Sequence, residues 1–456
     1  MRRRFGPDVV LAIALPLLCA AVLLLLQPDH DRSADQPAVE TPLASASVVC
    51  PAAIPGTGTD LLGVSTLGAD PATKVAGDVQ VGLGDAAGPV RVRTARVSPT
   101  SAGAGPAVVT GIDDLAPGLV AGRSQSAPLA AVDCAPPVAD QWFTATGAGA
   151  THDSTIELVN LNEGRASADI TVRSPSGPVD VPALRGVTVP GNSSQLLDLG
   201  QIVPSSGELS LEVHTSRGRL AVHVVDSHDE LGTGVPVQDW LPSQPEPVTS
   251  NLLLGLDAGP GERTLVLANP GGDEVRATVK MITATSVLPP AGVEPVRIAP
   301  DSTAAVSLDD VVKKAVKRGA TGLMVESTGP VTATLRQVVD DDLSLLAPLT
   351  AIDSTTAAVV PAGAKRLLLG GPSAVGVATV TAYATNGKEL FTQRAELAPD
   401  VGADIALPDA ATFVVITPER SSVRAAVIVR GSGTAVVPLR ELVLTGLVPD
   451  VRPGLP

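Results

Sequence analysis

The sequence predicts an all-β protein made of tandem β-sandwich modules of immunoglobulin-like size. Throughout residues 154–226, short apolar runs alternate with period two and are separated by Gly, Pro, Asn and Ser, as in strands with one buried face. The same order of strands recurs twice downstream, and aromatic residues make up only 2% of the chain. Such short strands at this spacing are typical of a small sandwich, here with an aliphatic core. A β-propeller-like closure of the repeats is the alternative.

The repeat consists of several features that return in one order. The first strand ends at Asn160, and its copies end at Asn269 and, more loosely, at Gly371. A second strand, a Pro-containing turn and a third strand follow each time. Each copy closes with two strands around a turn, which we expect to be hairpins, at residues 209–225, 322–338 and 413–429. Several features in one order at one period are hard to obtain by chance, so a repeat is the strongest expectation.

These patterns divide the chain into seven segments. The segments are a cytoplasmic tip and transmembrane anchor (1–27), a tether (28–47), a divergent β module one (48–133), β module two (134–245), β module three with a short helix (246–347), β module four (348–445) and a disordered tail (446–456). Module one is the most degenerate copy, and atypical end repeats are common in arrays. Residues 340–342, all Asp, are expected to form a solvated linker, with calcium between modules as the lesser alternative.

The helix of module three has clear start and stop signals. Ser307 is expected to cap it, Asp309 and Asp310 to lie in its first turn, and Gly319 to end it. Acidic residues near the amino end and basic residues near the carboxyl end complement the helix dipole.

The amino terminus predicts a membrane anchor. Arg2 to Arg4 precede an apolar run over residues 9–26, which is long enough to cross a hydrocarbon core of about 30 Å. The arginines orient its start to the cytoplasmic side, so we expect a single-pass cell-membrane protein whose bulk is extracytoplasmic. The alternative is a secreted protein released by signal-peptide cleavage, although no small-x-small site follows until residues 44–46.

Beyond the apolar run the chain has two cysteines, Cys50 and Cys134. An even pair in an exported segment usually forms a disulfide bond, which would bridge the ends of module one. Two buried free thiols are the alternative.

The sequence lacks the motifs of common enzymes. It contains no G-x-S-x-G elbow, no Walker lysine loop, no dinucleotide fingerprint and no H-E-x-x-H, each of which carries a known chemistry. We therefore expect no catalytic residues and no cofactor. The formal net charge of −15 would repel nucleic acid and other anionic polymers, so we expect no nucleic-acid partner.

One constellation suggests a metal site. If Arg217 and Gly218 form a two-residue turn, Glu212 lies opposite His223, and His214 lies diagonally on the same face. Two histidines and a carboxylate on one face suit zinc or a similar ion. The alternative, which we favour, is an exposed polar sheet face with an ordinary cross-strand pair.

Each of the two tryptophans, Trp142 and Trp240, lies just before or at the start of a new module. An exposed tryptophan in an exported protein can stack on a sugar, whereas a buried one would be a plug packed where two modules meet. With a single Tyr in the chain, we favour the plug.

The anchor and the cysteine pair, with the opening Cys-x-Pro-Pro-Val-Ala-Asp-x-Trp-Phe at 134–143 and the Leu-Val-Asn strand at 158–160, resemble an uncharacterised actinobacterial family. Its members are membrane-anchored or secreted envelope proteins that share a domain of unknown function. Leu161 departs from the family's pattern, which tends to have Pro after this Asn. The resemblance implies a compartment and a lineage, with no catalytic residues to carry over.

Three functions are therefore expected, in descending order. The first is a non-enzymatic extracytoplasmic envelope protein whose tandem sandwiches present an elongated surface to another envelope protein, for interaction or scaffolding. The second is an accessory or carbohydrate-binding protein for a cell-surface glycan enzyme, which requires exposed aromatic side chains. The third is a metal-dependent hydrolase centred on Glu212, His214 and His223.

Overall fold

The computed structural model describes residues 39–448, apart from residues 57, 71, 102, 204–206 and 230–235. Strands dominate this part of the chain and lie in several separate sheets, which confirms the predicted all-β sandwich class. The predicted anchor at residues 9–26 lies outside the described residues. Within them, no helix is both long enough and apolar enough to span a membrane.

The chain divides into two units by its internal contacts. The described part of the smaller unit is a two-stranded ladder of β1 (Val39–Pro42) and β35 (Thr445–Val448), in which the Thr445 hydroxyl donates a hydrogen bond to the Glu40 carboxylate. The larger unit comprises Pro42–Leu444 and holds the sandwiches.

The first two sandwiches follow the predicted modules one and two in chain order. The strands of the first sandwich are β2 (Ser45–Cys50), β3 (Asp60–Thr66), β4 (Ala76–Val81), β5 (Gly88–Arg93), β6 (Ser98–Thr100), β7 (Ala107–Ile112), β8 (Leu119–Ser126) and β9 (Leu129–Asp133). Those of the second are β10 (Asp140–Thr146), β11 (His152–Asn160), β12 (Ala166–Ser174), β13 (Gly177–Val179), β14 (Val187–Val189), β15 (Ser193–Asp198), β16 (Leu209–Arg217), β17 (Leu220–His228) and β18 (Val237–Leu241).

The third and fourth sandwiches follow in the same manner. The strands of the third are β19 (Val248–Leu254), β20 (Gly261–Asn269), β21 (Val275–Ile282), β22 (Val287–Leu288), β23 (Val296–Ile298), β24 (Ser302–Ser307), β25 (Gly322–Val339) and β26 (Asp342–Leu346). Those of the fourth are β27 (Thr356–Val359), β28 (Ala364–Gly370), β29 (Gly376–Ala384), β30 (Glu389–Leu397), β31 (Ala403–Leu407), β32 (Ala411–Glu419), β33 (Arg424–Arg430) and β34 (Thr434–Pro438). The helices are α1 (Leu199–Ile202), α2 (Asp309–Val316) and 3-10 turns at Gly84–Ala86, Asp113–Leu115 and Pro182–Leu184.

All four sandwiches share one topology. In the first, one sheet has the order β2-β7-β4-β5 and the other β6-β3-β8-β9; in the fourth, the orders are β27-β32-β29-β30 and β31-β28-β33-β34. The second and third sandwiches repeat this order, with two short strands in place of the last strand of the first sheet. The common topology is the structural counterpart of the sequence repeat, while the segment boundaries given above stay predictions.

The predicted closing hairpins are wrong. In the second sandwich, β16 pairs with β10 and β12, whereas β17 pairs with β11 and β18, so the two strands lie in opposite sheets. In the third, one continuous strand, β25, pairs in its first half with β19 and β21 and in its second half with β20 and β26. A strand buries one face whether it pairs with its neighbour or crosses to the other sheet, so alternation alone does not identify its partner.

Within residues 42–444 the sandwiches contact one another in a closed order, rather than forming the expected elongated array. The last strands of the four sandwiches, β9, β18, β26 and β34, contact one another in turn, and β34 also contacts β9. Closure of the repeats was the alternative architecture, but each repeat is a sandwich of two strand layers, which in the third sandwich share the long strand β25.

Apolar clusters span each junction of this closed order. The pairs of residues that share a cluster across a junction are Val49 and Val159 (first and second sandwiches), Leu211 and Leu343 (second and third), Leu252 and Leu368 (third and fourth), and Val437 and Leu129 (fourth and first). Burial of this aliphatic surface stabilises the closed arrangement.

Two local predictions in the third sandwich also differ from the structure. The helix α2 is present, but Leu308 occupies the N-cap position without a side-chain cap, and the Ser307 hydroxyl donates to the Asp309 carboxylate at 2.9 Å. Asp340 and Asp341 have φ values of 52° and 59° and form the tight turn between β25 and β26. Asp is among the residues that tolerate this left-handed conformation, so the acidic run is a hairpin turn and not a linker.

Candidate functional site

The disulfide bond between Cys50 and Cys134 is present, as predicted. Both residues are fully buried in the apolar core of the first sandwich. Cys50 ends β2 and Cys134 follows β9, so the bond ties the first strand of this sandwich to the residue after its last strand.

The three candidate metal ligands lie in two different sheets. Glu212 and His214 are on β16, whereas His223 is on β17 and pairs with Glu157 across the other sheet. The hairpin that would have joined them does not form. Among the residues that the structure describes, no group of three or more His, Cys, Asp or Glu side chains is placed to hold a metal ion.

Glu212 and His214 are instead engaged in ion pairs within the second sandwich. The Arg173 guanidinium donates to Glu212 at 2.9 Å, and His214 Nδ1 lies 2.6 Å from an Asp140 oxygen. The hydrogen bond with Asp140 raises the pKa of His214. Burial lowers the pKa of His223 to about 4, so its ring is neutral at pH 7.

Both tryptophans are buried, as the plug interpretation requires. Trp240 is 3% exposed, packs with Ile54 and Ala130 of the first sandwich, and donates from Nε1 to the Ala52 carbonyl at 3.1 Å. Trp142 is 6% exposed and lies beneath the Arg173 guanidinium, 4.8 Å from the ring centroid. The two side chains therefore serve packing, and neither offers a free ring face for a sugar.

A charged cluster that was not anticipated joins the second sandwich to the third. Arg336 of β25 donates to both Glu208 oxygens, at 2.7 and 2.6 Å. His152 Nε2 lies 2.9 Å from Asp226, whose oxygen also accepts from the Ser154 hydroxyl at 2.5 Å. Burial opposes protonation of His152, but the Asp226 carboxylate outweighs it and the pKa is raised.

This cluster contains Ser, His and Asp, yet its connectivity is not that of a nucleophile and its base. Ser154 donates to Asp226 rather than to the ring of His152, and its side chain is buried, so the Ser–His contact of a catalytic triad is not formed in the described cluster. The bidentate Arg336–Glu208 pair instead joins two sandwiches. Nothing in the local sequence pattern signalled this cluster, because its members come from strands distant in the chain.

Two of the cavities in the described part of the chain lie between neighbouring sandwiches and are large enough for a small molecule. One of about 640 Å³ is lined by residues of the first and second sandwiches, including Gln80, Asp85 and Glu163. Another of about 360 Å³ is lined by residues of the third and fourth, including Met324 and Arg424. Both volumes fall in the range of small-molecule sites.

The fold and these junctions define a disulfide-bonded protein of packed β-sandwiches. Residues 97–408 match a family of unknown function, DUF5719. Because this match covers more than half of the chain, the protein belongs to that family. No curated protein matches the chain.

Proposed function

We propose that this chain is a non-enzymatic, extracytoplasmic envelope protein that presents its sandwiches to another envelope protein as a scaffold. The observation that carries the proposal is the free edge at β30. In the described part of the chain, this nine-residue strand pairs with β29 alone, and Thr392, Gln393 and Arg394 are exposed. An unpaired edge offers N–H and C=O groups to an extended segment of a partner.

The location is proposed on three grounds. The Cys50–Cys134 bond supports an oxidising compartment, the apolar run at residues 9–26 supports a membrane anchor, and the resemblance described above supports an actinobacterial envelope. The alternative location is outside the cell, after cleavage of the amino-terminal segment, and a test of location would distinguish the two.

The residues that suggested the two competing functions are not placed as those functions require. A carbohydrate-binding role rested on exposed aromatic side chains, and both Trp142 and Trp240 are buried. A metal-dependent hydrolase rested on Glu212 and His214 together with His223, which lies in the other sheet. Neither has a specific observation in its favour.

Site-specific photo-crosslinking in intact cells tests the proposal. A photoreactive residue replaces Gln393 on β30 in the full chain, and the matched control carries it at Arg165, an exposed position in the second sandwich. We expect a discrete product with another envelope protein at position 393 and not at position 165. Equal products at both positions, or none at position 393, would overturn the proposed binding edge. Turnover of a wall glycan or peptide by the purified chain would overturn the non-enzymatic role.

A further inference from the structure

The cavity of about 360 Å³ between the third and fourth sandwiches combines three kinds of lining. Apolar side chains include Ile282, Met324 and Val401, hydroxyl groups include Ser373 and Ser422, and the guanidinium of Arg424 adds a positive charge. Apolar walls with a few convergent polar groups are typical of small-molecule sites.

Arg424 begins β33 and is held by backbone carbonyls. Its Nε donates to the Leu349 carbonyl at 3.0 Å, and its Nη1 lies 3.5 Å from the Gly371 carbonyl oxygen. Gly371 has a φ of 57°, and a Cβ there would lie 2.8 Å from Nη1. The glycine therefore lets the guanidinium pack directly against the backbone.

Arg424 lacks a carboxylate partner among the described residues, unlike three other arginines at or near sandwich junctions. Arg123 pairs with Asp60, Arg336 with Glu208 and Arg440 with Asp133, each at 2.6 Å. Burial lowers the pKa of Arg424. A partly desolvated charge without a counter-charge is costly, so an anion in the cavity would relieve that cost.

Arg263, like Arg424, has no ion pair within the described part of the chain. Its side chain instead directs all three nitrogens to backbone carbonyls, those of Asp257, Gly259 and Gly261. Among the described residues the guanidinium of Arg424 contacts just the two carbonyls named above, so it keeps N–H donors for a ligand.

Two carboxylates also line the cavity, Glu326 and Asp400, and neither forms an ion pair with Arg424. Glu326 lies 2.6 Å from Lys280 Nζ, and Asp400 is exposed. Their presence and the net charge of −15 disfavour ligands that carry several negative charges.

We propose that this cavity binds a small monocarboxylate that carries an apolar group. The carboxylate accepts from the remaining guanidinium donors of Arg424, since guanidinium and carboxylate match in geometry. Ser373 Oγ already accepts from the Ser422 N–H at 3.0 Å, so its hydroxyl proton is able to donate to the same carboxylate. The apolar group lies against Met324 and Val401. A free acid and the carboxyl end of a peptide share this chemistry.

Calorimetric titration of the full chain tests the proposal with four probes. These are N-acetylvaline, its amide, a pentapeptide ending in valine and the amide of that pentapeptide. We expect binding of at least one free carboxylate, no binding of its amide, and at least tenfold weaker binding to Arg424→Gln. Arg366→Gln, at an exposed arginine of the same sandwich, should bind as the wild type does. Binding of the pentapeptide alone identifies a peptide terminus, and binding of N-acetylvaline identifies a free acid.

Thermal unfolding provides a second measurement on the same variants. Without ligand, Arg424→Gln should unfold at the same temperature as the wild type or higher, because it removes an uncompensated charge. The carboxylate should raise the unfolding temperature of the wild type and of Arg366→Gln, but not that of Arg424→Gln. Equal binding of acid and amide, equal binding to wild type and Arg424→Gln, or no binding of either acid at millimolar concentration would each overturn the proposal.

Discussion

Substitution of Asn160 should destabilise the second sandwich because its side chain ties together two turns. The buried Asn160 amide donates to the carbonyls of Gly164, Val189 and Pro190 at 2.8, 3.2 and 3.0 Å, and its oxygen accepts from the Asn162 N–H at 3.0 Å.

The third sandwich contains the same arrangement at the equivalent strand end. There the Asn269 side chain bonds the backbone groups of Asp273, Ile298, Ala299 and Gly271. The internal repeat therefore carries a side-chain clamp as well as a strand pattern.

The expected cost of losing the clamp follows from its bonds. The Asn160 amide has two N–H donors and one accepting oxygen in use, and each net hydrogen bond is worth about 1 kcal/mol. Asn160→Ala should therefore lower the free energy of unfolding by about 3 kcal/mol. Asn160→Asp preserves the shape but replaces the donors with a carboxylate that faces three carbonyl oxygens, so it should cost at least as much as the alanine.

Urea unfolding followed by tryptophan fluorescence measures both variants. Trp142 and Trp240 are the tryptophans of the chain and lie on β10 and β18 of the second sandwich, so their emission reports on that sandwich. Asn162→Ala is the matched control, because Asn162 takes part through its backbone N–H and C=O. If Asn160→Asp were as stable as the wild type, the clamp would be irrelevant to stability and the reasoning would fail.

Three further predictions concern the first sandwich and its junction with the second. Reduction of the Cys50–Cys134 bond should lower the stability of the first sandwich by about 4.5 kcal/mol in urea unfolding, on the chain-entropy model. Unchanged unfolding on reduction would contradict this. Burial raises the pKa of Glu157 from 4.5 to about 7. The protonated carboxyl group therefore makes its full contribution to folding stability below pH 4.5, and this contribution is lost as the pH rises through 7. Glu157→Gln should flatten that dependence, and a wild-type profile in the variant would refute the assignment. Trp240→Ala should cost about 3–5 kcal/mol, and a cost near zero would show that the residue is not a plug.

Much of the fold was predictable from local patterns. Alternation predicted the strands, the Asn160 and Asn269 positions marked equivalent strand ends, and the cysteine count predicted the disulfide bond. The candidate site was less predictable. Glu212 and His223 were expected to face each other because their strands are adjacent in the chain, yet the strands pair in different sheets.

The sequence by itself determined the class of structure, since period-two burial, turn residues and internal repetition are local properties that need no knowledge of distant neighbours. Tertiary structure alone decided which strands pair, how the sandwiches close on one another and where Arg424 and Arg336 lie. Those outcomes depend on complementarity between segments far apart in the chain. The residues adjacent in sequence do not reveal which distant segment will be complementary. The two arginines illustrate this dependence on tertiary structure. Arg336 forms an ion pair with Glu208 at a junction between sandwiches, whereas Arg424 lines a cavity.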